Sequence, residues 1–213
     1  MIRLCCATGN AGKLAEFQMA GESVGRPVAI ELLPGYKRLP PCVEDGATFD
    51  ENAIVKARYY GPHAPGLLAP GLLAPGLLAP DLLAPGLLFA DDSGLEVDAL
   101  NGAPGVYSAR FSGPHATDES NNRLLLEKLA GVENRAARFV CAIALVEGTR
   151  LLGVYRGAVE GTILHEPRGT GGFGYDPLFY CPAFGCTFGE ATAEQKFAAS
   201  HRGQALRTML ASL

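Results

Sequence analysis

The residues best suited to chemistry begin with Thr8-Gly9-Asn10-Ala11-Gly12-Lys13, which follows an apolar stretch from Ile2 to Ala7. Its glycines let backbone N–H groups approach a phosphate at a helix start, and Lys13 adds an ammonium. A Walker A loop needs four residues between its glycines and a Ser or Thr after the lysine to hold magnesium. Here only Asn10 and Ala11 separate Gly9 from Gly12, and Leu14 follows Lys13. The loop can grip phosphate but brings no metal ligand of its own, so the magnesium of a bound nucleotide must be held elsewhere.

Two acidic pairs are candidates. In Asp91-Asp92-Ser93-Gly94, after the apolar Phe89-Ala90, the carboxylates can bind Mg²⁺ and orient or deprotonate a water. Adjacent side chains leave extended backbone on opposite faces, so only one of the two should point into a cleft. Taken alone, the same residues read as an Asp-Ser-Gly turn. Glu44-Asp45 is the second pair, in a loop.

The remaining candidates suit the rest of a nucleotide. Arg168 to Pro177 packs glycines at 169, 171, 172 and 174, which implies close backbone approach to a ligand or a glycine-rich hairpin loop. Within it Phe173 or Tyr175 could stack on a flat base, with Gly174 between them and Asp176 accepting hydrogen bonds. Lys56 and Lys196 are candidate phosphate partners. Ser200-His201-Arg202-Gly203 opens a helix and sets two donors side by side; a 6-oxo purine offers them O6 and N7 as acceptors. A 6-amino purine would oppose donor to donor, which discriminates against ATP.

Alternating strands and helices must position these groups. Ile2 to Ala7 and Ala29 to Leu33 read as strands, Lys13 to Ala20 as a helix, and Thr48-Phe49-Asp50-Glu51 as a capping box opening a helix through Tyr60. Phe89-Ala90 reads as a short strand ending at Asp91. Thr117 starts a helix whose apolar face is Leu124, Leu125 and Leu129, stopped by Gly131. Arg138 to Val146 and Arg150 to Val159 form a hairpin, Thr192 to Gln195 caps a short helix, and Gly203 to Leu210 is the last helix. The ordering predicts an α/β fold with antiparallel strands in a mixed sheet.

Composition excludes some classes. With 213 residues, 48% of them hydrophobic, and net charge −4, the chain can bury a full core and reads as one domain over residues 1–213, with room for two lobes. Eighteen Lys and Arg against twenty-two Asp and Glu, without a basic run, argue against a nucleic-acid polymer as partner. The start Met1-Ile2-Arg3-Leu4 lacks a signal-peptide pattern, so a cytoplasmic protein with no membrane partner is expected. The six cysteines lack zinc-ligand spacing and read mostly as buried, reduced thiols.

One segment stands apart. From Ala64 to Leu88 the pentad Ala-Pro-Gly-Leu-Leu occurs five times in tandem, with Asp81 in place of Gly in the fourth copy. Proline every fifth residue forbids a continuous helix, and Pro-Gly favours type II turns. The tract reads as a string of turns or a mobile loop: a repeat expansion in a tolerant loop, or a partner-docking surface.

Together these segments resemble one family, the inosine/xanthosine triphosphate pyrophosphatases, which act on deaminated purine nucleotides. The resemblance rests on residues 8–13, Thr48-Phe-Asp-Glu-Asn-Ala53 with Lys56-Ala57, Asp91 to Leu95, Gly102 to Arg110, Gly169 to Pro177 and Ser200 to Gly203. It implies an elongated mixed sheet with helices, two lobes around a central cleft, a homodimer, and Mg²⁺-dependent hydrolysis of ITP, dITP and XTP to the monophosphate and pyrophosphate. It further implies that Asp92 is base and metal ligand, with Glu44, or Asp45 beside it, as the second carboxylate. Thr8 to Lys13, Lys56 and Lys196 would grip the triphosphate, Ser93 would contact substrate, Phe173 to Asp176 would hold the base, and His201-Arg202 would read its 6-oxo group. The pentad tract departs from the family: removing residues 64–83 leaves a connection of the family's ordinary length, about a dozen residues. A Maf-type pyrophosphatase with other base preference and a non-catalytic nucleotide-binding protein are the alternatives.

Overall fold

The computed structural model describes residues 2–22, 28–66 and 86–213. Seven strands form one sheet: β1 (Ile2–Cys6), β2 (Val28–Leu32), β3 (Leu87–Val97), β4 (Ala136–Glu147), β5 (Arg150–Ile163), β6 (Phe179–Cys181) and β7 (Cys186–Thr187). Their order is β2-β1-β3-β4-β5-β6-β7. β1 runs parallel to β2 and β3, and every pair from β3 onward is antiparallel, which is the expected mixed α/β arrangement. The helices are α1 (Ala11–Glu22), α2 (Phe49–Tyr60), α3 (Asp118–Lys128), α4 (Ala193–Ala199) and α5 (His201–Ala211).

Local chemistry sets the helix starts. Thr48, Thr117, Thr192 and Ser200 each accept a hydrogen bond from the backbone three residues on, satisfying amides that have no partner inside the helix. At α2 the Glu51 carboxylate reaches past the cap to accept from the Ala47 amide at 2.7 Å. At α1 the cap is Asn10, whose side chain accepts from Lys13 N at 3.1 Å. Ala11 and Gly12 therefore lie in the first turn of α1, two residues ahead of the start that the sequence predicted at Lys13.

Two further expectations are corrected. β3 does not stop at Asp91 but runs through Val97, pairing Asp91 with Ile143 and Asp92 with Ala142; the Asp-Ser-Gly turn does not form, because β4 offers an unbroken antiparallel partner. On α3 the core face is Leu125 and Leu129 with Leu126 packed alongside, and Leu124 is only partly buried. The thiols are all unpaired, with Cys6, Cys141 and Cys181 buried and Cys5, Cys42 and Cys186 partly so.

The alternation of β3 and β4 splits the core between the two sheet faces. Phe89, Cys141, Ile143 and Leu145 meet Phe17 of α1 and Leu206, Met209 and Leu210 of α5. Leu88, Ala90, Ala142, Ala144 and Val146 meet Phe49, Ala53, Ala57 and Tyr60 of α2 on the opposite face. A third cluster, around Leu95, Phe139, Val159, Phe179 and Phe188, lies toward the other end of β3–β6 and takes in α3. Buried Arg135 ties that end together, donating to the carbonyls of Leu129, Ile163 and Leu164 at 2.7–2.9 Å. No helix among the described residues is long and apolar enough to cross a membrane.

Most of the pentad tract, residues 67–85, lies outside the described residues, so the turns and loop expected there are not described. Its two ends do meet: Gly86 N donates to the Ala64 carbonyl at 3.4 Å, and a Cβ on Gly86 would sit 2.9 Å from the carbonyl carbon of Pro65. Because the repeat is regular, removing residues 64–83 yields the same chain as joining Pro65 to Gly86. That variant is expected to fold with specific activity within about twofold of wild type, since the closure it makes already exists and loop length costs little. A large loss of activity, or a change of assembly in sedimentation, would show the tract to be functional.

Candidate active site

The two adjacent carboxylates divide as strand geometry requires. Asp91 turns toward α1 and α5 and is 1% exposed; its Oδ2 accepts from Lys13 Nζ at 2.8 Å. Asp92 turns toward α2, where Asn52 Nδ2 donates to its Oδ2 at 2.9 Å. Of the pair only Asp92 lines a cavity of about 290 Å³, together with Asn10, Lys13, Glu44, Lys56, Ser93, Phe173, Gly174, Tyr175, Asp176 and Arg202. Asp45 is exposed and outside that lining.

One end of the cavity gathers cations and carboxylates. Lys56 Nζ donates to Glu44 Oε2 at 2.9 Å and to the Asp91 carbonyl at 3.1 Å. Burial works against the Lys56 charge, but Asp91 and Glu44 outweigh it and leave its pKa raised. Burial likewise opposes ionisation of Asp91, yet Lys13, Lys56 and Arg202 hold its pKa below the ordinary carboxylate value. Asp92 behaves oppositely: burial dominates and raises its pKa, against the Asn52 hydrogen bond and the lysines, which lower it.

The other end carries flat and donor groups. The Phe173 ring lies 4.9 Å from both Lys196 Nζ and the Arg202 guanidinium, and a Cβ on Gly12 would strike it at 2.8 Å. Glycine at 12 thus lets the start of α1 close against the glycine-rich segment. Gly174 is gripped from α3, its N–H donating to Asp118 and its carbonyl accepting from Asn122. Tyr175 is buried and donates to the Ser108 carbonyl at 2.8 Å, so its hydroxyl is committed to the fold. Asp176 accepts from Lys196 at 2.5 Å and from Phe173 N at 2.8 Å.

Glu16 joins the cations of this end. Its two oxygens take Lys196 at 2.7 Å and Arg202 at 2.8 Å, and these cations, against burial, hold its pKa low. Arg202 also donates to Ser93 Oγ at 3.1 Å, and its Nε has no partner. The His201 ring stacks on Phe139 at 4.9 Å with both nitrogens unpartnered. Burial first, then Arg202, Lys196 and Lys13, push its pKa well below the usual value, so the ring is neutral and carries one donor and one acceptor.

Thr8, Gly9, Ala11, Gly12, Lys196 and His201 do not line the cavity. Thr8 instead accepts from Asn10 N, and Lys196 and His201 contact the wall residues Asp176 and Phe139. Sequence reading missed Glu16, Asn52, Asp118 and Asn122. Asn52 had a local signal, lying in the capped segment before Lys56; the others are brought in by α1 and α3 from far along the chain.

One cavity thus brings two lysines and the Glu44 and Asp92 carboxylates together with an aromatic ring and a guanidinium. A model of the Ham1 family matches residues 4–212. The chain belongs to the Ham1 family. A dITP/XTP pyrophosphatase of Exiguobacterium sp. strain AT1b is 45% identical over 216 residues, covering 100% of this chain and 97% of that protein. The dITP/XTP pyrophosphatase of Geobacter sulfurreducens is 45% identical over 97% of this chain and 94% of its own length. Among solved structures, the HAM1 protein of Coxiella burnetii superposes with TM-score 0.76 at 38% identity, with full coverage of both chains. The Staphylococcus aureus Ham1 protein gives 0.77 at 33%, covering 99% and 98%. The mixed seven-stranded sheet is therefore the Ham1 fold.

Proposed function

We propose that this Ham1 protein hydrolyses deaminated purine nucleoside triphosphates, ITP, dITP and XTP, to the monophosphate and pyrophosphate. The observation that carries the reading is the sharing of one cavity by Asp92, Lys13 and Lys56 with Arg202, Phe173 and Asp176. The names of the relatives, dITP/XTP pyrophosphatases along nearly the whole chain, support the same substrates.

Four carboxylates line the cavity, Glu44, Asp92, Asp118 and Asp176. Asp176 is taken by Lys196 and Asp118 by the Gly174 amide, which leaves Glu44 and Asp92, beside the two lysines, as metal donors, and among the described residues no three or more His, Cys, Asp or Glu converge as a metal cage. That donor set fits Mg²⁺, which commonly takes one or two carboxylates and completes its shell with substrate phosphates and water. When bound there, Mg²⁺ supplies neutralisation of phosphate charge and a lowered pKa for a nearby water. Asp92 accepts the proton of the water that attacks the α-phosphorus, a task suited to a carboxylate whose pKa burial has raised. Asn52 fixes the orientation of that carboxylate, and Lys13 and Lys56 stabilise the departing pyrophosphate.

At the base end, Arg202 donates to O6 and N7 of a 6-oxo purine, Phe173 covers the ring, and Asp176 accepts from its N–H edge. Glu44 rather than Asp45 is the second carboxylate in this reading. The motif resemblance adds a homodimer, which sedimentation velocity tests.

Pyrophosphate release from ITP, XTP, ATP, GTP and UTP with Mg²⁺, measured side by side, tests the reading. Turnover of ITP and XTP well above the other three is expected. Preference for UTP or GTP would place the enzyme with Maf-type pyrophosphatases, and inactivity on all five would leave a nucleotide-binding protein.

A further inference from the structure

We propose that Asp91 is a positioning residue that couples the choice of base to the placement of the phosphate lysines, an inference that rests on the pyrophosphatase reading above. Asp91 anchors both lysines: its Oδ2 holds Lys13 at 2.8 Å and its backbone carbonyl holds Lys56 at 3.1 Å. The same Oδ2 accepts from Ser93 Oγ at 3.2 Å, and Ser93 Oγ accepts from Arg202 at 3.1 Å. Arg202 continues through Glu16 to Lys196 and Asp176. The phosphate end and the base end thus form one hydrogen-bonded chain with Asp91 in the middle.

Two features let this chain switch. Its charged members are shielded, with side chains of Asp91 1%, Asp176 4%, Arg202 6%, Lys196 8% and Lys13 16% exposed, so each bond polarises the next. Asp91 Oδ1 is also buried without a partner, which gives the Lys13 ammonium a second acceptor on the same carboxylate. A 6-oxo base keeps the Arg202 guanidinium on Ser93; Ser93 Oγ stays on Oδ2, and Lys13 stays in its present position beside the cavity. A 6-amino base opposes donor to donor and displaces the guanidinium, Ser93 Oγ is released, and Lys13 moves toward Oδ1. The wrong base is then penalised at the phosphates, in turnover as well as in binding.

The test compares kcat and KM for ITP and ATP, with Mg²⁺, in wild type, Asp91→Asn and Ser93→Ala. Couplings between sites commonly span about 5- to 150-fold, and the kcat ratio of ITP to ATP is expected to fall about tenfold in both variants. The KM ratio should stay within about twofold. Equal loss of kcat on both substrates, as a general structural defect would give, overturns the proposal; so does a change confined to KM, which would mean that Ser93 acts only by touching the base. Thermal melting establishes folding. Should Asp91→Asn fail to fold, Ser93→Ala decides alone, because it removes one hydroxyl from a half-buried residue. A wild type inert toward ITP overturns both this inference and the function it rests on, whereas an active wild type with unchanged variant ratios overturns the coupling alone.

Discussion

Asp92→Asn is expected to lower kcat for ITP by about 10³-fold, the size of effect a general base contributes, and to leave ITP affinity within about threefold of wild type. Asparagine preserves the shape and can still accept from Asn52, so the wall of the cavity stays in place. What it loses is a charge and the capacity to take a proton from the attacking water. Lys13, Lys56, Phe173 and Arg202 remain to bind the nucleotide, which is why binding and turnover should separate. Calorimetric titration of the variant with ITP and single-turnover release of pyrophosphate measure the two sides. Substantial turnover by Asp92→Asn would remove Asp92 from the role of base and leave Glu44, the cavity carboxylate held by Lys56, to take it.

Arg202→Lys is the second large effect. The guanidinium at 202 uses one nitrogen on Glu16, another on Ser93 and still has Nε without a partner. A lysine keeps the charge beside Glu16 but cannot hold that planar fork, and a buried site that loses its donor to a substrate acceptor discriminates poorly. The expected result is a fall of about 10²-fold in kcat/KM for ITP with ATP changed by less than about fivefold. Pyrophosphate release from both substrates is the measurement. A uniform loss on both would make Arg202 a structural partner of Glu16 and not a reader of the base.

Much of this site was legible because its chemistry is clustered locally. With no Ser or Thr after Lys13 to hold a metal, the sequence points to Glu44 and Asp92 as carboxylate donors, and both line the cavity with Lys13. Caps at Thr48, Thr117, Thr192 and Ser200 were readable because a cap is settled within four residues. The adjacent carboxylates at 91 and 92 were readable in part: strand alternation said that they would separate, but not which would face the cleft. That choice depended on β3 continuing through Val97 against β4, a pairing between residues about fifty apart in the chain.

Glu16 shows the limit most directly. In the sequence it is one acidic residue on a helix, with nothing to distinguish it from a solvated one. In the fold, α5 packs beside α1 over the same sheet face and brings Arg202 to one Glu16 oxygen, while α4, just before it, brings Lys196 to the other. Asp118 and Asn122 reach the Gly174 backbone in the same way, from a helix more than fifty residues upstream.

By itself the sequence determined the residue types, the helix starts, the mixed α/β class and the family-like order of the motifs. These are properties of short segments, fixed by side-chain chemistry, by period and by backbone preference. Only the tertiary structure decided that Asp92 faces the cavity, that Asp91 holds both lysines, and that Glu16 gathers Lys196 and Arg202. Those pairings are long-range contacts, and they exist only once sheet order and helix packing have brought the segments together.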